Sequence, residues 1–217
     1  MSHSEFFFEQ YFDLRNFKHP QLFKKNCFAW EVLDRLRDYL DGFSNYGIYS
    51  EVPSWSILEN EEQIYIGKNV TIEPFTLIKG PCIIEDGATI AHGSLVRPYS
   101  IISQDALLGH CSEVKESILL EGAKLPHFNY VGDSIIGARV NLGAGLICAN
   151  VRLDMKEIIL KNEEEKCSSG RHKLGAIIGD DSSLSCNLVI NPGSFIQKNS
   201  FVLSNAKIKT HSPRSKK

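Results

Sequence analysis

Aliphatic residues return at every sixth position between Ile66 and Leu120 without a miss: Ile66, Ile72, Ile78, Ile84, Ile90, Val96, Ile102, Leu108, Val114 and Leu120. A helix would repeat its apolar face about every 3.6 residues and a half-buried strand about every two. A strict period of six therefore predicts a coil with flat sides and regular corners. Four residues after most of these anchors sits a small or compact residue: Val70, Thr76, Cys82, Ala88, Ser94, Ser100, Ala106 and Ser112. One large and one small inward position per hexapeptide fits a triangular solenoid, three hexapeptides to the turn, with successive turns stacked by strand pairing. The ladder resumes at Ile178, Leu184, Ile190, Ile196, Val202 and Ile208, with small partners at Ser182, Ser194, Ser200 and Ala206. An antiparallel sandwich would instead alternate with period two between turns of varied spacing.

This pattern resembles the hexapeptide-repeat, left-handed parallel β-helix, so the expected fold is all-β with a short N-terminal helical region. The left hand is implied by the resemblance, since the general rule for crossovers would give a right-handed coil. Residues 60–210 are assigned to the β-helix and 211–217 to a basic tail. Residues 1–50 are not repetitive. Trp30, Leu33, Leu36, Tyr39 and Leu40 recur at helical spacing with Asp34, Arg35, Arg37 and Asp38 between them, which predicts an amphipathic helix. A shorter helix is expected after Pro20. These helices are expected to cap the open end of the coil, because a solenoid must cover its terminal edge.

Two stretches break the pattern. Leu120 and Ile136 are sixteen residues apart where three hexapeptides would give eighteen, and residues 122–133 place Pro126, His127 and Tyr130 where the coil wants small and aliphatic side chains. A local failure of the rules inside a regular coil is a candidate functional site. Residues 151–173, rich in Lys and Glu, are expected to leave the coil as a surface loop, either closing over a neighbouring subunit's groove or acting as a tether.

The chain has 217 residues, 42% of them hydrophobic, and a net charge of −2, which argues against nucleic acid as the main partner. No apolar run approaches the roughly 20 residues of a membrane span, and the opening residues lack the basic start of a signal peptide. Six cysteines without paired spacing suit reduced thiols, so a cytoplasmic protein is expected.

Residues eighteen apart lie above one another on such a coil. Arg97 and Lys115 are one such outward pair, and two stacked cations suit a phosphate or carboxylate, although Glu113 and Glu116 are near enough to neutralise Lys115. His92 and His110 are another pair, and with His127 they suggest a three-histidine metal site of the kind found in γ-class carbonic anhydrases. Position 115, where the third ligand of that family falls, is lysine.

The motifs Glu113-Val-Lys115, Lys124-Leu-Pro-His127-Phe-Asn-Tyr130-Val-Gly-Asp133, Val140-Asn141-Leu-Gly-Ala144-Gly145, Cys148-Ala-Asn150 and Ile177-Ile-Gly-Asp180 resemble the acetyltransferase half of the bifunctional bacterial enzyme that makes UDP-N-acetylglucosamine. They are still closer in style to the β-helical C-terminal halves of sugar-1-phosphate nucleotidylyltransferases. The resemblance implies a homotrimeric N-acetyltransferase that uses acetyl-CoA, without a metal, on an amino-sugar phosphate such as glucosamine-1-phosphate. It implies His127 as general base, with Asn150 also in the catalytic set. Histidine suits the base because its ordinary pKa lies near ambient pH. It further implies Arg97 and Lys115 as phosphate ligands, Tyr130 and Asn141 at the acceptor, and Ala144, Ser185 and Cys186 at the acyl-CoA.

The chain departs from the family at Val151, where a tyrosine is expected, and at Ser185-Cys186, where Gly-Ser is expected. The 151–173 loop is longer than the family's, and no glycine-rich nucleotide loop precedes the repeats, so uridyl transfer is not expected. The alternative reading is a non-catalytic trimer that binds sugar phosphate and has lost the donor site.

Overall fold

A computed structural model describes residues 4–161, 166–204 and the backbone of 211–212. Over these the chain winds into a left-handed parallel β-solenoid of about 8 turns, with one short helix near its N-terminus. The coil has three flat walls. Wall 1 contains nine strands, from Gly47–Ile48 to His211–Ser212, wall 2 seven, from Thr71–Ile72 to Phe201–Val202, and wall 3 seven, from Ile57–Glu59 to Val189–Ile190. The expected anchors Ala206 and Ile208 and the side chains of the basic tail lie outside the described residues.

Most corners turn on a residue with positive φ. Between walls 1 and 2 these are Asn69, Gly87, Asp105, Asp181 and Asn199, among others. The inward anchors are buried in one continuous core. Inward serines turn their hydroxyls onto passing carbonyls: Ser94 Oγ donates to Gly109 O at 2.8 Å and Ser112 Oγ to Leu125 O at 3.2 Å. Ser94 and Ser112 thus enter the core with their hydroxyls paired, whereas the buried hydroxyls of Thr76 and Ser100 make no hydrogen bond among the described residues.

The broken spacing resolves into two tight corners. Leu119, not Leu120, pairs with Ile102 below and Ile136 above, so Leu119 is the inward anchor. Leu120 points outward and is buried on the far side of the wall. From Val114 to Leu119 and again from Val131 to Ile136 the side is five residues long instead of six. Both tight corners lie between walls 3 and 1, turning on Glu116 and Asp133, each with φ of 46°. Ser117 and Ser134 brace them: Ser117 Oγ donates to Lys115 O and accepts from Ser134 N, while Ser134 Oγ donates to Gly132 O and accepts from Ala176 N.

The N-terminal segment does not cap the end of the coil. It lies along wall 1, where Phe6, Tyr11, Phe12, Leu22, Trp30, Leu33 and Leu36 pack on Ile83, Ile101, Ile118, Ile135, Ile177 and Phe195, which come from six successive strands. The reason is the outward side of wall 1: large apolar residues there need a cover along the whole face. At the N-terminal end itself, Ile48, Val52 and Leu58 pack against the core. The predicted amphipathic helix is α1, Glu31–Asp41, with Val32, Leu33, Leu36 and Leu40 buried. The turn before its start is held by Glu31, whose carboxylate accepts Phe28 N at 3.1 Å. The segment after Pro20 is a single 3-10 turn, Pro20–Leu22.

The 151–173 insertion leaves the coil after Ile147–Cys148 and returns at Ala176–Ile178, at the same corner between walls 3 and 1. It is neither tether nor free loop. Strands Ile159–Lys161 and Lys166–Ser168 form an antiparallel hairpin, and Ile158, Leu160 and Leu174 join the apolar cover of wall 1. Its outer part, around Leu153 and Met155, is exposed.

Candidate active site

Arg97, Lys115, Tyr130 and Asn150 come together on wall 3, beside the tight corners. Arg97 N donates to Val114 O at 2.9 Å, which extends the ladder and sets Arg97 next to Lys115 as the spacing predicted. Both cations are already paired. Arg97 Nη1 meets Glu113 Oε1 at 2.9 Å in a half-exposed pair. Lys115 is buried, with Nζ 2.5 Å from Glu116 Oε1 and 3.1 Å from Asp133 Oδ2. Burial alone would lower the lysine pKa, but the two carboxylates outweigh it and hold it above its ordinary value. Burial would likewise raise Glu116, yet Lys115 and Arg37 hold it below the usual glutamate value.

Tyr130 folds over Gly132. A Cβ at Gly132 would lie 2.6 Å from Tyr130 Oη and 2.9 Å from Asn150 Nδ2, so the missing side chain is what lets the phenol and the amide share this place. Burial, followed by the nearby Glu113 carboxylate, pushes the Tyr130 phenol up. Asn150 Nδ2 donates to Asp133 Oδ2 at 2.6 Å.

His127 stands at the next corner, between walls 2 and 3. It is in register with His110, and the register of wall 2 continues the column through Ala144 to Cys186, with Ser185 beside it. The backbone around His127 is pinned: its N–H donates to Asn129 Oδ1 at 3.1 Å, and its carbonyl accepts Gly145 N at 2.9 Å. Asn129 is itself buried and donates to Gly143 O at 2.8 Å. The His127 ring is exposed and makes no hydrogen bond among the described residues. Above it the column carries the small side chains of Ala144, Cys186 and Ser204.

Asn141 is not brought to the others. It sits in register with Lys124 and Ser183 at the far edge of wall 2, exposed. The histidines do not converge either: His92 and His110 stack face to face, centroids 5.4 Å apart and 12° from parallel. Among the described residues no group of three His, Cys, Asp or Glu is arranged to hold a metal ion.

Sequence reasoning missed Asp133, Asn129, Arg171 and the part played by α1. Arg37 of α1 binds Glu116 at 2.7 Å and lies over the Tyr99 ring at 4.4 Å. Arg171, from the insertion, pairs with Asp34 of α1 and comes to 3.7 Å from Asp133 Oδ1. The signal was the seventeen-residue register of Leu108 with Leu125 and Val114 with Val131, which sets Asp133 between Lys115 and Asn150.

Fold and motifs together define a left-handed β-helix of hexapeptide repeats. Its homologues, over the C-terminal part of the chain, are bifunctional sugar-1-phosphate nucleotidylyltransferase/acetyltransferases. The chain is 43% identical over 162 residues to the protein of that name from Sulfurisphaera tokodaii, covering 66% of this chain and 39% of that one. It is 35% identical over 205 residues to the bifunctional protein GlmU of Methanococcus vannielii, covering 81% of this chain and 49% of that one. The chain therefore spans less than half the length of these relatives. A family model described as the GMPPB C-terminal domain matches residues 78–164. Among solved structures, a mutant of the N-acyltransferase AntD from Bacillus cereus is similar at TM-score 0.42 and 13% identity, over 82% of this chain and 88% of that one. No helix among the described residues is long and apolar enough to cross a membrane.

Proposed function

We propose that the protein is an acyltransferase that moves an acetyl group from acetyl-CoA to the amine of an amino-sugar phosphate, with glucosamine-1-phosphate as the first acceptor to test. The observation that carries this reading is the exposed ring of His127, unbonded among the described residues, at the corner between walls 2 and 3 and in column with the small residues Ala144 and Cys186. The names of the relatives support it. The neutral amine attacks the thioester carbonyl, His127 takes the amine proton, the carbon–nitrogen bond forms, and the carbon–sulfur bond breaks to release coenzyme A. Asn150 donates to the oxygen that gains charge. Arg97 receives the phosphate by exchanging Glu113 for it, with Lys115 behind. Tyr130 and Asn141 hold the sugar, and Ala144, Ser185 and Cys186 face the acyl-CoA.

Asn141 lies at the far edge of wall 2, away from Arg97, Lys115, Tyr130 and Asn150 on wall 3, so this reading requires a homotrimer in which a neighbouring subunit supplies it. Exposed Trp55, Phe75 and Phe128 along the corner between walls 2 and 3 suit such a contact. One observation favours the second reading, a non-catalytic sugar-phosphate-binding trimer: the cations of wall 3 are already matched by Glu113, Glu116 and Asp133. Release of free coenzyme A from acetyl-CoA in the presence of glucosamine-1-phosphate separates the two. Turnover that drops roughly 10²-fold or more in His127→Asn supports the enzyme. No turnover, with no acetyl-CoA binding by calorimetry, supports the binding protein.

A further inference from the structure

We infer that Asp133 is a positioning residue of this site, one that fixes the amide of Asn150 and the ammonium of Lys115 and couples both to the N-terminal helix. The inference rests on the acyltransferase reading above. Asp133 is 1% exposed and turns a tight corner with φ of 46°. Its backbone is tied on both sides, N–H to Lys115 O at 3.0 Å and carbonyl to Gly175 N at 2.8 Å. Its Oδ2 takes both Lys115 Nζ and Asn150 Nδ2.

A carboxylate oxygen in this position only accepts, so the nitrogen of the Asn150 amide must face it and the carbonyl must face away. Asp133 thereby sets which way round Asn150 stands, and the second N–H of the amide makes no hydrogen bond among the described residues. Lys115 serves as the brace that holds Asp133. Glu116 passes that brace to Arg37, and Arg171 passes the other carboxylate oxygen to Asp34, so one face of α1 grips both ends of the network. The five-residue corners bring it about: each missing residue turns Glu116 and Asp133 toward the wall.

A plain counter-ion role for Asp133 is separated by exchanging the two side chains. Asp133→Asn is expected to lower kcat by roughly 10- to 10²-fold with little change in KM for acetyl-CoA, as a misplaced group does. The double variant Asp133→Asn/Asn150→Asp restores a donor–acceptor pair with its polarity reversed. It is expected to regain the melting temperature of the parent without regaining kcat, because position 150 no longer offers an N–H. Recovery of kcat together with melting temperature overturns the positioning role, and so does an unchanged kcat in Asp133→Asn. Absence of turnover in the parent protein overturns the acyltransferase reading and this inference with it. Where the variants do not fold, asparagine-selective nitrogen-15 NMR of the unaltered protein decides. One Asn150 side-chain proton is expected to be protected from exchange, and free exchange of both overturns the inference.

Discussion

Walls 1 and 3 are built from the same hexapeptide and differ in one position, the residue that points outward. On wall 1 that residue is Ile83, Ile101, Ile118, Ile135, Ile177 or Phe195, and all six are buried under the N-terminal segment and the insertion. On wall 3 the corresponding column runs Leu77, Leu95, Glu113, Tyr130, Ile147 and Val189, and it stays open at least in part. An outward aliphatic residue on every turn makes a wall into a second core. A mixed column with Glu113 and Tyr130 leaves a surface that can meet a ligand. The corner between the two walls is where the cover and the open face are joined by charge.

The largest effect that tests this contrast is at Phe195, which packs edge-on against Phe6 at 5.1 Å, Tyr11 at 5.4 Å and Trp30 at 5.9 Å. Phe195→Ala is expected to cost about 3–5 kcal/mol in urea unfolding. Val189→Ala, outward on wall 3, is expected to cost only a few tenths of a kcal/mol, as exposed positions do. Equal losses would mean that the cover is not part of the cooperative fold.

Next comes the joint. Lys115→Ala takes the shared ammonium from buried Asp133 and half-buried Glu116, leaving them only Arg171 and Arg37, and is expected to cost about 3 kcal/mol. Arg97→Ala breaks a half-exposed pair and is expected to cost less than about 1 kcal/mol while raising KM for a phosphorylated acceptor. If both variants raised that KM with stability untouched, Lys115 would be a free phosphate ligand and the joint would not be structural.

Much of this was legible in the sequence. The period of six gave the solenoid, and the spacing of eighteen placed Arg97 beside Lys115. The aliphatic doublets Ile83-Ile84, Ile101-Ile102, Ile135-Ile136 and Ile177-Ile178 carried the cover of wall 1 as well, because a strand buried on both faces is apolar throughout. What stayed hidden depends on register. With one residue missing from each tight corner, a reading by eighteens slips, puts Leu120 inside in place of Leu119, and loses the line from Lys115 through Asp133 to Asn150. The site of the insertion hairpin was hidden for a different reason: Ile158 and Leu160 are two apolar residues in a polar stretch, and only the finished wall 1 gives them a place to go.

The joint should also be sensitive to pH, by less than the loss of Lys115 itself. The Glu116 pKa is lower in the fold than its ordinary 4.5, so its contribution is full above that value and is lost as pH falls through the folded one. The Lys115 pKa is higher than its ordinary 10.5, so its contribution is full below that value and is lost as pH rises through the folded one. Between the two limits the grip of α1 on the corner is complete. The protection factors of α1 amides are expected to fall below the ordinary glutamate value, and Lys115→Met is expected to flatten that dependence. Protection lost instead in the neutral range would assign the grip to other groups.

The smallest effect belongs to the tip of the insertion. Leu153 is fully exposed and Met155 is 67% exposed, while Ile158 and Leu160 of the same segment are buried in the cover. In a single chain, Leu153→Ser is expected to change stability by no more than about 0.5 kcal/mol. The trimer proposed above gives that number a second use. Where the tip reaches a neighbouring subunit, the cost of Leu153→Ser grows with protein concentration, because only the assembled form buries it. A loss that stays small from micromolar to high protein concentration means that the insertion serves its own chain, as part of the cover of wall 1.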